Sequence, residues 1–360
     1  MSHSPKSLPF VSVLMPVRNE RDFIERSFGS VLAQDYPADR LEILVIDGMS
    51  EDGTREFVEG AIADQPDRSI RLLDNPGRIV ATAMNIGTRE ALGEILLRVD
   101  GHCEIQAGHL RRCVDELTDS NRLVAGVGGP ISTVSGSLVG RAIAVAMSSR
   151  FGVGGSAFRV GVKTERMVDT VPFPAYTKAT VEAAGPYDEE LGRNQDDEYN
   201  YRIRDLGGRL LLDPALRSRY FSRAGLGKLW RQYFEYGFWK VRVLQKHPRQ
   251  MSPRQIVPAA LVLALSGAGV LALAMPGART AIALIPLAYL AGILSASLLE
   301  SARQGLAVLP ILPAAFLALH FGYGTGFLVG LARFWKRWGD GSTLVDGTRR
   351  MVGQELKESQ

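Results

Sequence analysis

The chain has 360 residues, 46% of them hydrophobic and 22% charged, and 42 basic against 38 acidic side chains give a net charge of +4. That length holds two ordinary domains, or one domain with a membrane anchor, and apolar residues this plentiful exclude a disordered chain. Two cysteines exclude a disulfide scaffold, and so small a charge excess argues against a nucleic-acid binder. The opening MSHSPKSLPF lacks an apolar core, so a cleaved secretory signal is not expected. Val11 to Pro16 reads as a buried strand, and Arg18 to Gln34 as a helix with Phe23, Ile24, Phe28, Val31 and Leu32 at three- and four-residue spacing. Strand Leu41 to Ile46, helix Arg55 to Ala63, strand Ile70 to Leu73, helix Ile79 to Ala91 and strand Ile95 to Val99 follow. This alternation predicts an α/β fold with βαβ units around a parallel sheet. Gly126 to Ser137 and Phe151 to Gly161 are glycine-rich and read as mobile loops, and Leu210 to Leu212 as a short strand.

Beyond residue 255 the composition changes. Ile256 to Met275, Thr280 to Leu299 and Ala307 to Leu331 are each near the ~20 residues a bilayer requires. Leu226 to His247, which mixes Trp, Tyr and Phe with Lys and Arg, fits a helix in the headgroup layer, or else an amphipathic packing helix. The expected organisation is an α/β domain over 1–225, an interfacial segment over 226–254, a membrane region over 255–332 and a basic tail over 333–360. Basic clusters stand before the first apolar stretch (Arg242, Lys246, Arg249, Arg254) and after the third (Arg333, Lys336, Arg337, Arg349, Arg350). Both ask for the cytoplasmic side, which three crossings cannot satisfy. The stretch Ala307 to Leu331, with two prolines and four glycines, is the one expected not to cross.

Three acidic clusters each follow a predicted strand, the end of an open α/β sheet at which ligands bind. Asp47 can accept a hydrogen bond from a base or a sugar, or it can close an Asx turn; Asp52 reads as a cap for the next helix. Asp100 and His102, two apart on an extended segment, point the same way and could share a divalent cation, or Asp100 is a turn residue beside a surface histidine. Asp196, Asp197 and Glu198 repel one another, which favours one of them as a general base; the alternative is a solvated helix start. There is no P-loop, no GxGxxG after the first strand, no serine hydrolase elbow and no zinc-spaced Cys/His set.

Four segments in order carry a resemblance: VSVLMPVRNE from Val11, VIDGMSEDGT from Val45, LRVDGHCEI from Leu97 and YDEELGRNQDDEYNYRIRDLGG from Tyr187. Together they resemble the family 2 glycosyltransferases of the GT-A fold, in particular the membrane-associated branch that builds exopolysaccharide repeat units, such as the succinoglycan glucosyltransferases. The likeness covers residues 10 to 250.

The resemblance implies a Rossmann-like mixed sheet and an inverting hexosyl transfer. A UDP-sugar would be the donor and a lipid-linked saccharide the acceptor, at the cytoplasmic face of the bacterial inner membrane. It places Pro16 to Glu20 at the uridine, Asp47 at the uracil or ribose, and Arg78 near the diphosphate. Asp100 would bind donor and metal, with His102 beside it on Mg2+ or Mn2+, and Asp196, with Asp197 in reserve, would be the base. Gly48, His102 and Gln195 depart from the family pattern of acidic residues at those positions. No Q-x-x-R-W is present, which argues for one sugar per acceptor. A processive synthase and a non-catalytic nucleotide-binding scaffold are the rival readings.

Overall fold

The structure, a computed structural model, describes residues 8–221 and 225–338. The tail beyond 338, with Arg349 and Arg350, lies outside the described residues. In chain order the elements are β1 (Val11–Val17), α1 (Ile24–Leu32), β2 (Leu41–Asp47), α2 (Thr54–Ala63), β3 (Ser69–Asp74), α3 (Val80–Glu90), β4 (Ile95–Arg98), β5 (Cys103–Ile105) and α4 (His109–Thr118). Then come β6 (Gly126–Gly128), β7 (Ile131–Val134), α5 (Leu138–Ser148), α6 (Arg150–Val153), α7 (Ala157–Val160), β8 (Arg166–Val168), β9 (Ala175–Thr177), α8 (Lys178–Ala184), α9 (Gln195–Asp205), β10 (Leu210–Leu212) and β11 (Ser218–Phe221). Four long helices follow: α10 (Leu226–Lys246), α11 (Pro253–Ala274), α12 (Arg279–Gln304) and α13 (Leu312–Arg333). They form two compact units, one of residues 8–132 and 161–221, the other of 133–160 and 225–338.

The first unit is built on an eight-stranded sheet in the order β3-β2-β1-β4-β9-β6-β10-β8. β1 and β2 are buried at every position, as strands covered on both faces must be. β1 runs parallel to β2, from Val11 opposite Leu41 to Val17 opposite Asp47, and parallel to β4 from Val11 opposite Ile95 to Leu14 opposite Arg98. Because that second pairing stops at Leu14, Pro16 removes no ladder bond on the β4 side. β9 is antiparallel to both neighbours and β8 to β10, so the sheet is mixed. A three-stranded sheet, β5-β11-β7, accompanies it.

Several expectations change. The helix expected from Arg18 begins at Ile24, because Asn19 takes a left-handed φ of 54° and the Glu20 carbonyl accepts from the Phe23 and Ile24 amides. The expected loop Gly126 to Ser137 contains β6 and β7. Its glycines serve close packing: a Cβ on Gly126 would stand 2.5 Å from the Tyr176 ring, and one on Gly128 2.7 Å from the Pro172 carbonyl. The expected loop Phe151 to Gly161 holds most of α6 and all of α7.

One acid sits deep in β2, at the end of the strand away from Asp47. Glu42 accepts from the Ser12 hydroxyl at 2.5 Å, the Leu92 amide at 2.7 Å and Arg71 at 3.1 Å, so both of its oxygens are hydrogen-bonded. Glu42→Ala removes the shared acceptor of the Ser12 hydroxyl, the Leu92 amide and Arg71. It is expected to cost about 3–5 kcal/mol, read as a fall in the thermal midpoint of the purified protein.

The second unit is helical apart from the end of β7. Residues 133–160, expected within the first domain, belong here because Ala142, Ile143, Ala146 and Met147 of α5 share one apolar core with Leu229 and Tyr233 of α10 and Leu312, Phe316 and Leu319 of α13. α5 is capped by Ser137, whose hydroxyl accepts from the Gly140 amide, and α11 opens with a Ser252–Gln255 capping box. Among the described residues three helices are long and apolar enough to cross a membrane, over Pro253–Ala274, Pro276–Gln304 and Leu312–Arg333.

Candidate active site

The chain passes from β1 outward through β2 to β3, then returns to β4 on the other side of β1. That reversal makes β1 the switch point of the sheet, and the loops after β1, β2, β3 and β4 gather over its carboxyl edge. Asn19, Met49 and Arg78, in three of these loops, hold φ between 54° and 59°, and Asn194, just before α9, holds 64°. Residues other than glycine rarely keep such angles without local support.

The support is a zip of side chain to backbone bonds. The Asn19 amide donates to the Ser50 hydroxyl and the Glu51 amide to the Asn19 carboxamide, both at 2.9 Å. Asp52 accepts from the Arg21 amide, the Thr54 amide and the Thr54 hydroxyl, and so fastens the loop after β1 to the loop after β2. Burial pushes its carboxyl up, and these donors outweigh that and hold it below the ordinary aspartate range. The cap position itself is Gly53, so Asp52 clamps a loop instead of capping α2 in the usual way. Asp47 ends β2 fully buried, with its carboxylate accepting from the Ser50 amide and meeting Arg55 at 3.4 Å. Arg55 also holds Asp74 at 2.7 Å. Asn75 braces the next loop by bonding Thr82 and the Ile79 carbonyl, which leaves Arg78 exposed ahead of α3.

Arg98 joins the second and third acidic clusters. It is a charged residue in an otherwise apolar strand, 4% exposed, and it grips Asp100 with Nε at 2.6 Å and Nη2 at 3.0 Å. Its Nη1 donates to Asp196, 98 residues away in sequence. α9 is positioned for this from two sides. Its Asn200 accepts from the buried Tyr176 hydroxyl at 2.6 Å, and its Glu198–Arg202 pair reaches back to the Ala184 and Pro186 carbonyls. Asn85 of α3 bonds Tyr187 through both backbone groups and stations the preceding loop. Burial raises the Asp196 carboxyl above the ordinary aspartate range; the Arg98 guanidinium lowers it, and the charges of Asp100 and Asp197 push it up again. Asp197 shares the first turn of α9.

His102 turns its Nδ1 to Glu20 at 3.0 Å and sets its ring edge-on to Tyr220. A neutral His102 that donates from Nδ1 to this carboxylate has its lone pair on Nε2, the form a metal ligand needs. Asp100 supplies a carboxylate with lone pairs beyond those Arg98 takes. An oxygen donor and an imidazole on one short segment therefore fit a divalent cation. Glu20 is nearly buried in this role, and its amide donates to Thr54 at 2.8 Å. Among the described residues one trio of acids has donor atoms within 4.8 Å of one another: Glu116, Glu165 and Asp213. Arg112 pairs with all three and Arg122 with the two glutamates, so the trio forms a structural ion network.

Sequence reasoning named Asp47, Asp100, His102 and Asp196 and missed Arg98. The available signal was a lone arginine at the end of the run ILLR: a cation that enters a buried strand has to meet an anion there.

Residues 12–160 match the family model described as glycosyl transferase family 2. Residues 12–160 form a glycosyl transferase family 2 domain. This transferase is 29% identical over 260 residues to the succinoglycan biosynthesis protein ExoA of Rhizobium meliloti, a match covering 71% of this chain and 76% of that one. It is 27% identical over 241 residues to a dolichyl N-acetyl-alpha-D-glucosaminyl phosphate glucuronosyltransferase of Methanococcus voltae, covering 66% and 74%. Its fold resembles that of the mannosyltransferase PcManGT from Pyrobaculum calidifontis, solved with GDP-Man and Mn2+, at a TM-score of 0.54 and 23% identity over 89% of both chains. The mixed sheet of this transferase is thus the GT-A architecture.

Proposed function

We propose that this glycosyltransferase moves a single hexose, with inversion, from a UDP-sugar to a lipid-linked saccharide in the assembly of a bacterial extracellular polysaccharide, at the cytoplasmic face of the inner membrane. The observation that carries the reading is the Arg98 bridge, which sets Asp100 and Asp196 on one guanidinium at the end of β4. The chemistry calls for acids with different tasks in one place, and their environments differ. Asp100 faces Arg98 with both oxygens, whereas Asp196 shares only one and keeps a third of its surface open.

Asp196 accepts the proton of the acceptor hydroxyl as that oxygen attacks the anomeric carbon from the face opposite the nucleotide. The bond from that carbon to the diphosphate oxygen breaks, and its electron pair leaves with UDP. Asp100 and His102 would hold a divalent cation, which supplies neutralisation of charge on the departing diphosphate. Asp47, with the strand end at Pro16 beside it, faces the nucleoside, and exposed Arg78 attracts the phosphates. Glu20 acts through His102 as a positioning residue. The lipid-linked acceptor rests on the dolichyl phosphate in the name of the Methanococcus relative and on the apolar helices of the second unit.

The test is release of free nucleotide from a panel of UDP- and GDP-hexoses, with a membrane lipid extract as acceptor and radiolabelled product sized by chromatography. Release from one UDP-hexose with a single discrete lipid-soluble product is expected. A ladder of products would replace single transfer with polymerisation, and no release from any donor would favour a nucleotide-binding scaffold.

A further inference from the structure

α13 is apolar enough to span, yet its surroundings differ from those of the other two candidates. Over its most apolar 18-residue window 56% of it is buried inside the protein, against 17% for α11 and 11% for the stretch containing α12. Much of the cover is α10. Gly322, Gly326 and Gly330, one per turn, lie on the backbone of Trp230, Phe234 and Phe238, where an added Cβ would collide with the partner's carbonyl oxygen. Steps of four on both helices mean that they run parallel and in register over these turns. Their far ends are joined as well: Gln245 donates to the Phe334 carbonyl at 2.8 Å and Arg242 to the Arg337 carbonyl at 3.4 Å. α13 can take no depth or tilt that α10 does not share.

α10 is a poor helix for hydrocarbon. It carries Lys228, Arg231, Glu235, Lys240, Arg242 and Lys246, and the Arg231 side chain is 83% exposed. Each cation at mid-bilayer costs about 2.5–3.5 kcal/mol on insertion scales. The contacts of α13 with α11 and α12 agree. His320 meets α12 at Tyr289; Gly324 then lies over Pro258 and Val262 of α11, and Phe327 shares a core with Ala259. Seven residues of helix advance about 10 Å, the spacing of two packed helices. α13 therefore meets both helices of the hairpin, α12 over its first half and α11 beyond it.

We infer that α10 and α13 lie side by side in the anionic headgroup layer of the bilayer, that α11 and α12 are the only described helices to cross it, and that the chain after Arg333 returns to the side from which α11 enters. The charges fit this arrangement. Arg249, Arg254, Arg303, Arg333, Lys336 and Arg337 all fall at the entry side, and Arg279 alone lies at the far turn. Trp335 and Trp338, 71% and 50% exposed, stand where interfacial tryptophans are favoured.

Single-cysteine variants of the full chain in sealed phosphatidylethanolamine–phosphatidylglycerol vesicles test this; both native cysteines are buried. A membrane-impermeant maleimide should label Val345→Cys and Arg254→Cys from one side and Gly277→Cys from the other. Spin labels at Leu317→Cys and Val329→Cys, about 18 Å apart along the α13 axis, should report the same shallow depth within about 5 Å, while Leu263→Cys on α11 reads deep. Labelling of Val345→Cys from the Gly277 side, or depths at 317 and 329 that differ by about 12 Å or more, would overturn the inference.

Discussion

Asp196→Asn is expected to lower turnover by about 10²–10⁴-fold with little change in donor affinity. A sugar hydroxyl is a weak nucleophile at neutral pH, and the rate depends on a base that can take its proton. Asparagine keeps the shape and can still accept from Arg98, so the site should remain assembled while the proton has nowhere to go. Calorimetry with a UDP-sugar and kcat from nucleotide release separate the two effects. Asp197→Asn should be far milder, since neighbouring residues on a helix point in different directions and Arg98 holds only Asp196 of the two. An inactive Asp197→Asn beside a near-normal Asp196→Asn would move the base by one residue. Full activity in both would remove this run from the chemistry.

Arg98→Met is expected to shift the acid limb of the kcat/KM profile to higher pH. In the wild type burial already raises the Asp196 carboxyl, and Arg98 is the largest influence opposing that. Without it two neighbouring carboxylates face each other with no cation between them, so Asp196 holds its proton to higher pH. Below the new limb, activity should fall about tenfold per pH unit, and it should recover in alkaline buffer. Stability gives a second readout of known sign. A carboxyl whose folded pKa is raised opposes folding when ionised, so the variant's deficit should be full at neutral pH and shrink as pH falls through that pKa. A uniform loss of activity at all pH values would mean that Arg98 only supports the fold.

The first half of the sheet was legible because β1, β2 and β4 are continuous apolar runs with helices of clear period between them. The second half was not. β5, β6, β8 and β9 have three residues each, too short for any period, and they exist through partners distant in sequence: β9 lies between β4 and β6, and β8 on β10. Gly126 and Gly128 gave a misleading signal, since glycine that admits a tyrosine ring or a carbonyl reads in sequence like glycine that makes a turn. Of the site, the acids were readable as polar residues at strand ends. The cation that joins them was hidden at the close of an apolar run. The glycines at 322, 326 and 330 were visible as well, but only the partner helix gives their four-residue spacing a meaning.

A hydrated path for a growing saccharide needs a ring of helices around it. Among the described residues of one copy three helices are apolar enough to cross, and the third has more than half of its most apolar window covered by its own protein. What remains is a hairpin whose two helices touch each other and turn large side chains such as Leu263, Leu273, Leu284 and Leu287 outward. Two helices enclose no lumen. On the arrangement inferred above, the described helices of one copy form no channel of their own.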